Sequence, residues 1–183
     1  MFEANLLTFE QAHSRYRRLR LTSYEEVARA AHEADVRPAI LTELDAAALQ
    51  AWQKTWSDRR HWTGDGGYRW DVVSRRYCHK PRSLHAAMWS NEMLCGMVVG
   101  WVSEAHERLT LHFLESSPDP RHPLRGHVTF LAFAAAESYG RSIGARVVAL
   151  RNPLPGVVAR YASFGYELAR TERGNLYYHK QLT

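Results

Sequence analysis

Cysteine is scarce in this chain of 183 residues. Cys78 and Cys95 are the only two, and no C-x-x-C pair occurs. That excludes a disulfide scaffold or a thiolate zinc finger and makes a reducing compartment, the cytoplasm, the expected one. No run approaches the roughly 18 apolar residues of a membrane-spanning helix, so no membrane partner is expected. Met1 is followed directly by mixed polar sequence rather than a targeting segment. There is no Gly-x-Ser-x-Gly, and Cys95 falls in an apolar stretch that favours an inert thiol, so a nucleophilic triad lacks support. His106 and His112, or His122 and His127, lie around a strand and in a turn, not four apart on one helix with a carboxylate. No metal site is expected.

What the chain does have is enough apolar length for a single domain with a real core. Its six Trp and nine Tyr favour packed structure over disorder. The formal charge of +5 and isoelectric point near 9.4 suit an anionic ligand, a cofactor or RNA, but equally an ordinary basic surface.

The N-terminal quarter reads as helices. Thr8-Phe-Glu-Gln11 is a capping box opening a helix to about Leu21. Arg15, Arg17, Arg18 and Arg20 spread around it, which favours a solvated or subunit-contacting helix over a nucleic-acid face. Thr22 opens a second helix to about Asp35, before Arg37-Pro38. Thr42-Glu-Leu-Asp45 opens a third, expected to be the longest of the set, with Leu44, Ala48, Trp52 and Trp56 as its apolar stripe. Gly64-Asp-Gly-Gly67, bracketed by Trp62, Tyr68 and Trp70, reads as a loop of the kind that carries substrate contacts. A helix over 70–77 runs into the basic, aromatic-interleaved stretch from Arg75 to Arg82.

From Ser83 the pattern becomes strands: a hairpin of 83–89 and 93–103 turning at Ser90-Asn-Glu. Gly96 and Gly100 mark a bulge or a close backbone approach. Leu109 to Leu114 alternates as a strand. A turn-rich connection reaches Gly126, an alanine-rich helix runs from His127 to Ser142, and 145–150 is another strand. A short helix from Val157 stops at Gly165, and two last strands flank Arg173-Gly174. This strand, glycine turn, helix, strand, helix unit presents backbone N–H groups at a helix start, where phosphates bind.

Arg125-Gly126-His127-Val128, Leu131, Gly144, Asn152 and Tyr161-Ala-Ser-Phe-Gly165-Tyr166 together resemble the GNAT superfamily of N-acetyltransferases, over roughly Leu84 to the C-terminus. The chain departs from that pattern at three points. Pro123 stands at the Gln/Arg position of the Q/R-x-x-G-x-G/A loop, Val128 at its second small position, and the Asn-to-Tyr interval is about two residues longer.

The resemblance implies an α/β fold: a mixed, mostly antiparallel sheet splayed at its centre, with helices on both faces. Residues 1–41 would be a helical extension and 42–183 the acyl-CoA-binding domain, with the helix after Thr42 walling the acceptor groove. It implies acetyl-CoA as cofactor, bound by Leu114, Arg125, Gly126, His127, Val128, Thr129 and Asn152. The acceptor is expected to be a small-molecule or peptide amine. A carboxylate that takes the amine proton is useful for such a transfer. Glu115 is the candidate base, ahead of Glu104 and Asp119, with Tyr161 matching the acid that protonates the thiolate. The alternatives are a non-catalytic module binding acyl-CoA, RNA or a protein, and a toxin acetylating aminoacyl-tRNA. RNA is not the favoured partner, and a homodimer is left open.

Overall fold

The computed structural model describes residues 8–36, 38–57, 66–153 and 155–183. Its elements, in chain order, are α1 (Phe9–Glu33), β1 (Ile40–Glu43), α2 (Ala46–Thr55), α3 (Trp70–Tyr77), β2 (Leu84–Ser90), β3 (Met93–Val102), β4 (Arg108–Ser116), α4 (Val128–Ser142), β5 (Val147–Arg151), α5 (Val158–Ser163), β6 (Glu167–Glu172) and β7 (Asn175–Gln181). The strands form one seven-stranded sheet in the order β1-β2-β3-β4-β5-β7-β6. Every neighbouring pair is antiparallel except β4 with β5. The α/β fold with a mixed, mostly antiparallel sheet is therefore as the sequence implies.

Two apolar clusters hold helices to the two faces of the sheet. On one, Tyr24 and Val27 of α1 and Leu131, Ala135 and Tyr139 of α4 pack with Leu84, Val98, Leu109 and Val148. On the other, Leu44, Ala48, Trp52 and Trp56 meet Trp70 and Val73 of α3 over Ala87, Met97 and Val99. The aromatic stripe read at helical spacing is thus core.

The N-terminal helices differ from expectation in two ways. α1 is one continuous helix of 25 residues rather than two, opened by the capping box at Thr8. Thr22-Ser23 does not break it: the Ser23 hydroxyl donates to the Leu19 carbonyl one turn back (2.9 Å), and the core packing of Tyr24 and Val27 with α4 carries the helix on. The third helix begins only at Ala46, with Asp45 as its N-cap, and at ten residues it is far shorter than α1. Ile40–Glu43 instead pairs with β2 as an edge strand, where its branched side chains fit the pleat. That strand spans the 41/42 position.

Arg20 corrects a further expectation. It is 2% exposed, not solvated. Its guanidinium donates twice to Glu43 Oε1 (3.0 and 2.8 Å) and to the carbonyls of Pro81 (2.7 Å) and Ser83 (3.1 Å), so it joins α1 to β1 and to the entry of β2. Burial alone would raise the Glu43 carboxyl. The hydrogen bonds and charge of Arg20, with Arg17, outweigh it and hold Glu43 below the usual range. Losing Arg20 leaves the mostly buried Glu43 carboxylate with only the exposed Arg17, and takes the donor from the Pro81 and Ser83 carbonyls. Arg20→Ala is therefore expected to cost about 3–5 kcal/mol in urea denaturation, and Arg17→Ala, exposed on the same carboxylate, under about 1 kcal/mol. Equal losses would contradict this account.

Candidate active site

The site forms where β4 and β5 part. Their register runs from Arg108↔Val147 to Leu111↔Leu150 and goes no further, while β4 continues to Ser116. The opening, a notch of about 90 Å³, is lined by Leu111, His112, Leu114, Arg151, Asn152 and Tyr161, with Tyr68 and Phe133 closing it. This is the splay at the sheet's centre.

A bulge determines what β4 presents on each side. Gly100 pairs with Leu111 and Val99 with Phe113, which leaves His112 as an extra residue. Before the bulge, Leu109 and Leu111 face the α1/α4 core. After it, Phe113 packs with the α2/α3 cluster. Glu115, two residues on, shares that face. Unbroken alternation through His112 would instead have put Phe113 and Glu115 on the face of Leu109 and Leu111, toward α4.

Glu115 is 5% exposed. Its Oε1 accepts from the Gly67 N–H (2.6 Å), and its Oε2 from the Trp70 indole N–H in a short hydrogen bond. These bonds orient the carboxylate. Glu115 lies in a second cavity, about 350 Å³, lined by Trp52, Trp56, Tyr68, Arg69 and Asp71. Tyr68 borders both cavities. It packs edge-on against Trp70 and Phe113 (ring centroids 5.9 and 5.2 Å apart).

Tyr161, on α5, is half-buried against the Phe133 ring (5.2 Å). Burial pushes its phenol above the ordinary value, Arg160 opposes this and Tyr68 adds to it. It is therefore a protonated hydroxyl at neutral pH, in the notch. Leu114 lines the same notch, half-buried.

The glycine turn stands at the start of α4. Gly126 has φ +83°, a conformation that side chains with a Cβ rarely adopt, and nothing lies within 4 Å of where its Cβ would be. α4 has His127 as N-cap with no side-chain cap bond. The N–H groups of Val128, Thr129 and Phe130 have no partner within the helix. They carry the positive end of its dipole. The helix start lies tight on the sheet: a Cβ on Gly96 would come within 2.6 Å of Val128. Arg125 is exposed and donates to the Pro120 carbonyl (3.1 Å). Arg160 donates to the Gly126 carbonyl and ties α5 to this turn.

The remaining sequence candidates occupy other positions. Asn152, at φ +47°, uses both ends of its amide on the last hairpin. Nδ2 donates to Asn175 (2.8 Å) and Oδ1 accepts from the Leu176 N–H (2.8 Å). It borders the notch as a brace for β7. Of the 64–67 loop, Gly64 and Asp65 lie outside the described residues. The basic clusters meet, since His13 Nε2 bonds the His79 carbonyl (2.7 Å). Much of their charge is engaged, Arg17 and Arg20 with Glu43 and Arg75 with Asp71. Among the described residues, no three His, Cys, Asp or Glu side chains cluster as metal ligands. No described helix is long and apolar enough to cross a membrane.

Sequence reasoning missed Arg160 and His112. An Arg beside the expected acid carries no signal of a contact with a turn 34 residues earlier. His112 stacks flat on Trp101, which stacks on Tyr77. Among the described residues nothing reaches its Nε2. Burial, aided by Arg151 and Arg108, pushes its pKa down to about 3. Burial and Arg20 lower that of His85 to about 4.

Several solved N-acetyltransferases share this fold. The aminoglycoside 6'-N-acetyltransferase from Enterococcus faecium superposes with a TM-score of 0.60 at 13% identity, covering 78% of this chain and 96% of that one. A ribosomal-protein alanine N-acetyltransferase from Escherichia coli gives 0.59 at 14% identity, covering 79% and 94%. The PaiA N-acetyltransferase from Thermoplasma acidophilum, solved in complex with coenzyme A, gives 0.55 at 13% identity, covering 78% and 98%. No protein-family model matches the sequence, and no curated protein does. At these identities the likeness establishes the fold, that of the GNAT acetyltransferases.

The two histidines lowered furthest, His85 and His112, set a pH signature. The unfolded chain takes up protons below about pH 6.5 that folded His85 and His112 refuse, so stability falls as pH drops from 6.5 toward 4. Ring-proton NMR is expected to find neither residue titrating between pH 5.5 and 8. A His112 midpoint near 6.5 would contradict its burial in the notch.

Proposed function

We propose that the protein is an N-acetyltransferase of the GNAT superfamily, moving an acetyl group directly from acetyl-CoA to an amine. The observation that carries this reading is the pair of cavities on the two sides of the β4 end, one holding Glu115 and the other Tyr161, with Tyr68 between them. The helix start fits the anionic end of the cofactor. The pyrophosphate would lie on the backbone N–H groups of Gly126, Val128 and Thr129, with Arg125 adding charge, while the His127 N–H is taken by the Leu124 carbonyl (2.9 Å). Val128 in place of a second small residue does not spoil the site, because its side chain turns away, buried against Gly96. The acyl end would enter the notch beside Leu114, with Asn152 at its rim.

In the reaction the amine nitrogen attacks the thioester carbonyl carbon. The C–N bond forms and the C–S bond breaks. The proton lost by the amine passes to Glu115, directly or through water. The departing thiolate takes the Tyr161 proton and leaves as free coenzyme A. Glu115 is anchored by two N–H donors, so its position is fixed before substrate arrives, and a bound amine meets a preset acceptor. Tyr161 is kept protonated by its half-buried setting, as a proton donor must be.

General acid–base assistance is worth about 10²–10⁴ in rate. Glu115→Gln and Tyr161→Phe are each expected to lower kcat on that order while leaving the KM for acetyl-CoA nearly unchanged. Raising pH is expected to restore part of the Glu115→Gln rate, where more amine is already neutral, and none of the Tyr161→Phe rate. Free-thiol release across pH 6–10, with melting curves to check folding, measures both. Wild-type kcat in either variant at every pH would remove that residue's assigned role.

A further inference from the structure

Beside the notch, one face of the sheet carries positive charge that no described side chain neutralises. Residues opposed across paired strands point to the same side. Leu150 and Tyr178 belong to the α4 core, so Arg108, Thr110, Ala149, Arg151, Tyr177 and His179 face the other way. α2 and α3 cover that second face only from β1 to Trp101 and Phe113, where Tyr77 stacks on Trp101 (4.6 Å). No described helix packs on the rest of it, across β5 and β7.

Two arginines stand there without a carboxylate partner among the described residues. Arg151 borders the notch, and its Nε and Nη2 both donate to the neutral Asn175 Oδ1 (3.2 and 3.0 Å). The guanidinium is thereby fixed in direction while its charge stays uncompensated. Arg108 lies over the Tyr177 ring (5.9 Å to its centre), and its Nε is enclosed with no hydrogen-bond partner. His112 Nε2 and His179 Nε2 are also enclosed and unpartnered. Burial, then Arg151 and Arg108, lower the pKa of His112; burial, then Arg108 and Arg170, lower that of His179. No carboxylate opposes either effect. The acidic side chains of this face stand on β6, the edge strand. Glu172 is taken by Arg170 (2.9 Å), and Glu167 lies opposite His179 in register. Enclosed polar atoms and unpaired cations gathered in one place cost stability, and a bound anion supplies the partner they lack.

We infer that the acceptor is a small amine that also bears an anionic group, a carboxylate or a phosphate, held by Arg151 and Arg108 while the amine enters at the notch. This rests on the acetyl-transfer reading above and narrows it. Arg151 is at the rim of the notch, so it can hold the far end of a short acceptor beside the reacting centre. A guanidinium fork matches the paired oxygens of a carboxylate or phosphate, and Asn175 has already ordered one such fork. The anionic group takes no part in the transfer, and the product is the N-acetyl derivative of the same acid. A polyamine or aminoglycoside would bring further cations against Arg108 and Arg151.

The test compares acceptors in pairs that differ in charge, with purified protein and acetyl-CoA. β-Alanine, γ-aminobutyrate and ε-aminocaproate are each set against the matching amide, and phosphoethanolamine against ethanolamine. Spermidine and kanamycin serve as polycations. Free thiol reports transfer. The best anionic acceptor is expected to exceed its neutral partner about tenfold to hundredfold in kcat/KM, the range of a hydrogen bond to a charged group. Whether that acceptor is a carboxylate or a phosphate identifies the anion. Arg151→Gln and Arg108→Gln are each expected to shrink the ratio within the pair about tenfold. A ratio taken within one variant does not depend on how much of that variant is folded. Equal rates within every pair, a ratio unchanged in both variants, or a preference for spermidine or kanamycin would overturn the inference and leave the acetyltransferase reading standing. If no amine is acetylated, that reading fails instead, and NMR of the arginine Nε–H groups titrated with γ-aminobutyrate and phosphoethanolamine decides. Shifts at Arg108 and Arg151 that the neutral partners do not produce would support the anion site, and their absence would overturn it.

Discussion

The site depends on one pair of strands that stops pairing early. Among the described residues, β4 and β5 are the only parallel neighbours in the sheet, and they hold register for four residues before diverging. Parallel strands require a crossover, and here α4 supplies it. The crossover places the start of α4 above the carboxyl ends of both strands, where open α/β sheets bind ligands. The notch, the uncapped helix start and the Gly126 turn therefore follow from one topological choice. The tight contact of Gly96 with Val128 holds that helix start against the sheet.

The His112 bulge adds the second requirement, a strand that serves two cavities. One inserted residue reverses which side chains face which layer, so Leu114 borders the notch while Glu115 turns to α2 and α3. The carboxylate then meets N–H groups from the segment before and at the start of α3, Gly67 and Trp70. Arg20 performs the equivalent task for the rest of the wall. It fixes β1 and the entry of β2 to α1, and so sets the edge of the sheet on which α2 sits.

Much of this architecture was legible in the residues. The Thr8 capping box, the Trp52/Trp56 stripe, the Ser90-Asn-Glu turn and the glycine before α4 are local signals, read by local rules. What was not legible came from tertiary context. Ile40–Glu43 looks like the approach to a helix until β2 is present to pair with it. Thr22-Ser23 looks like a helix start until packing on α4 carries α1 through it. The bulge at His112 interrupts an alternation that reads as unbroken in sequence, so the partners of Glu115 were hidden although Glu115 itself was not. Asn152 was visible as a candidate, but its amide bonds to Asn175 and Leu176 depend on a hairpin more than twenty residues away.

The central claim is that the cofactor's phosphates lie on the α4 start and its thiol end in the notch. Amide NMR of the protein titrated with coenzyme A tests it most directly. The account predicts the largest shifts at Gly126, Val128 and Thr129, with a second group at 112–116 of β4. Shifts confined to the basic segment 75–82, or no shifts at millimolar coenzyme A, would contradict it.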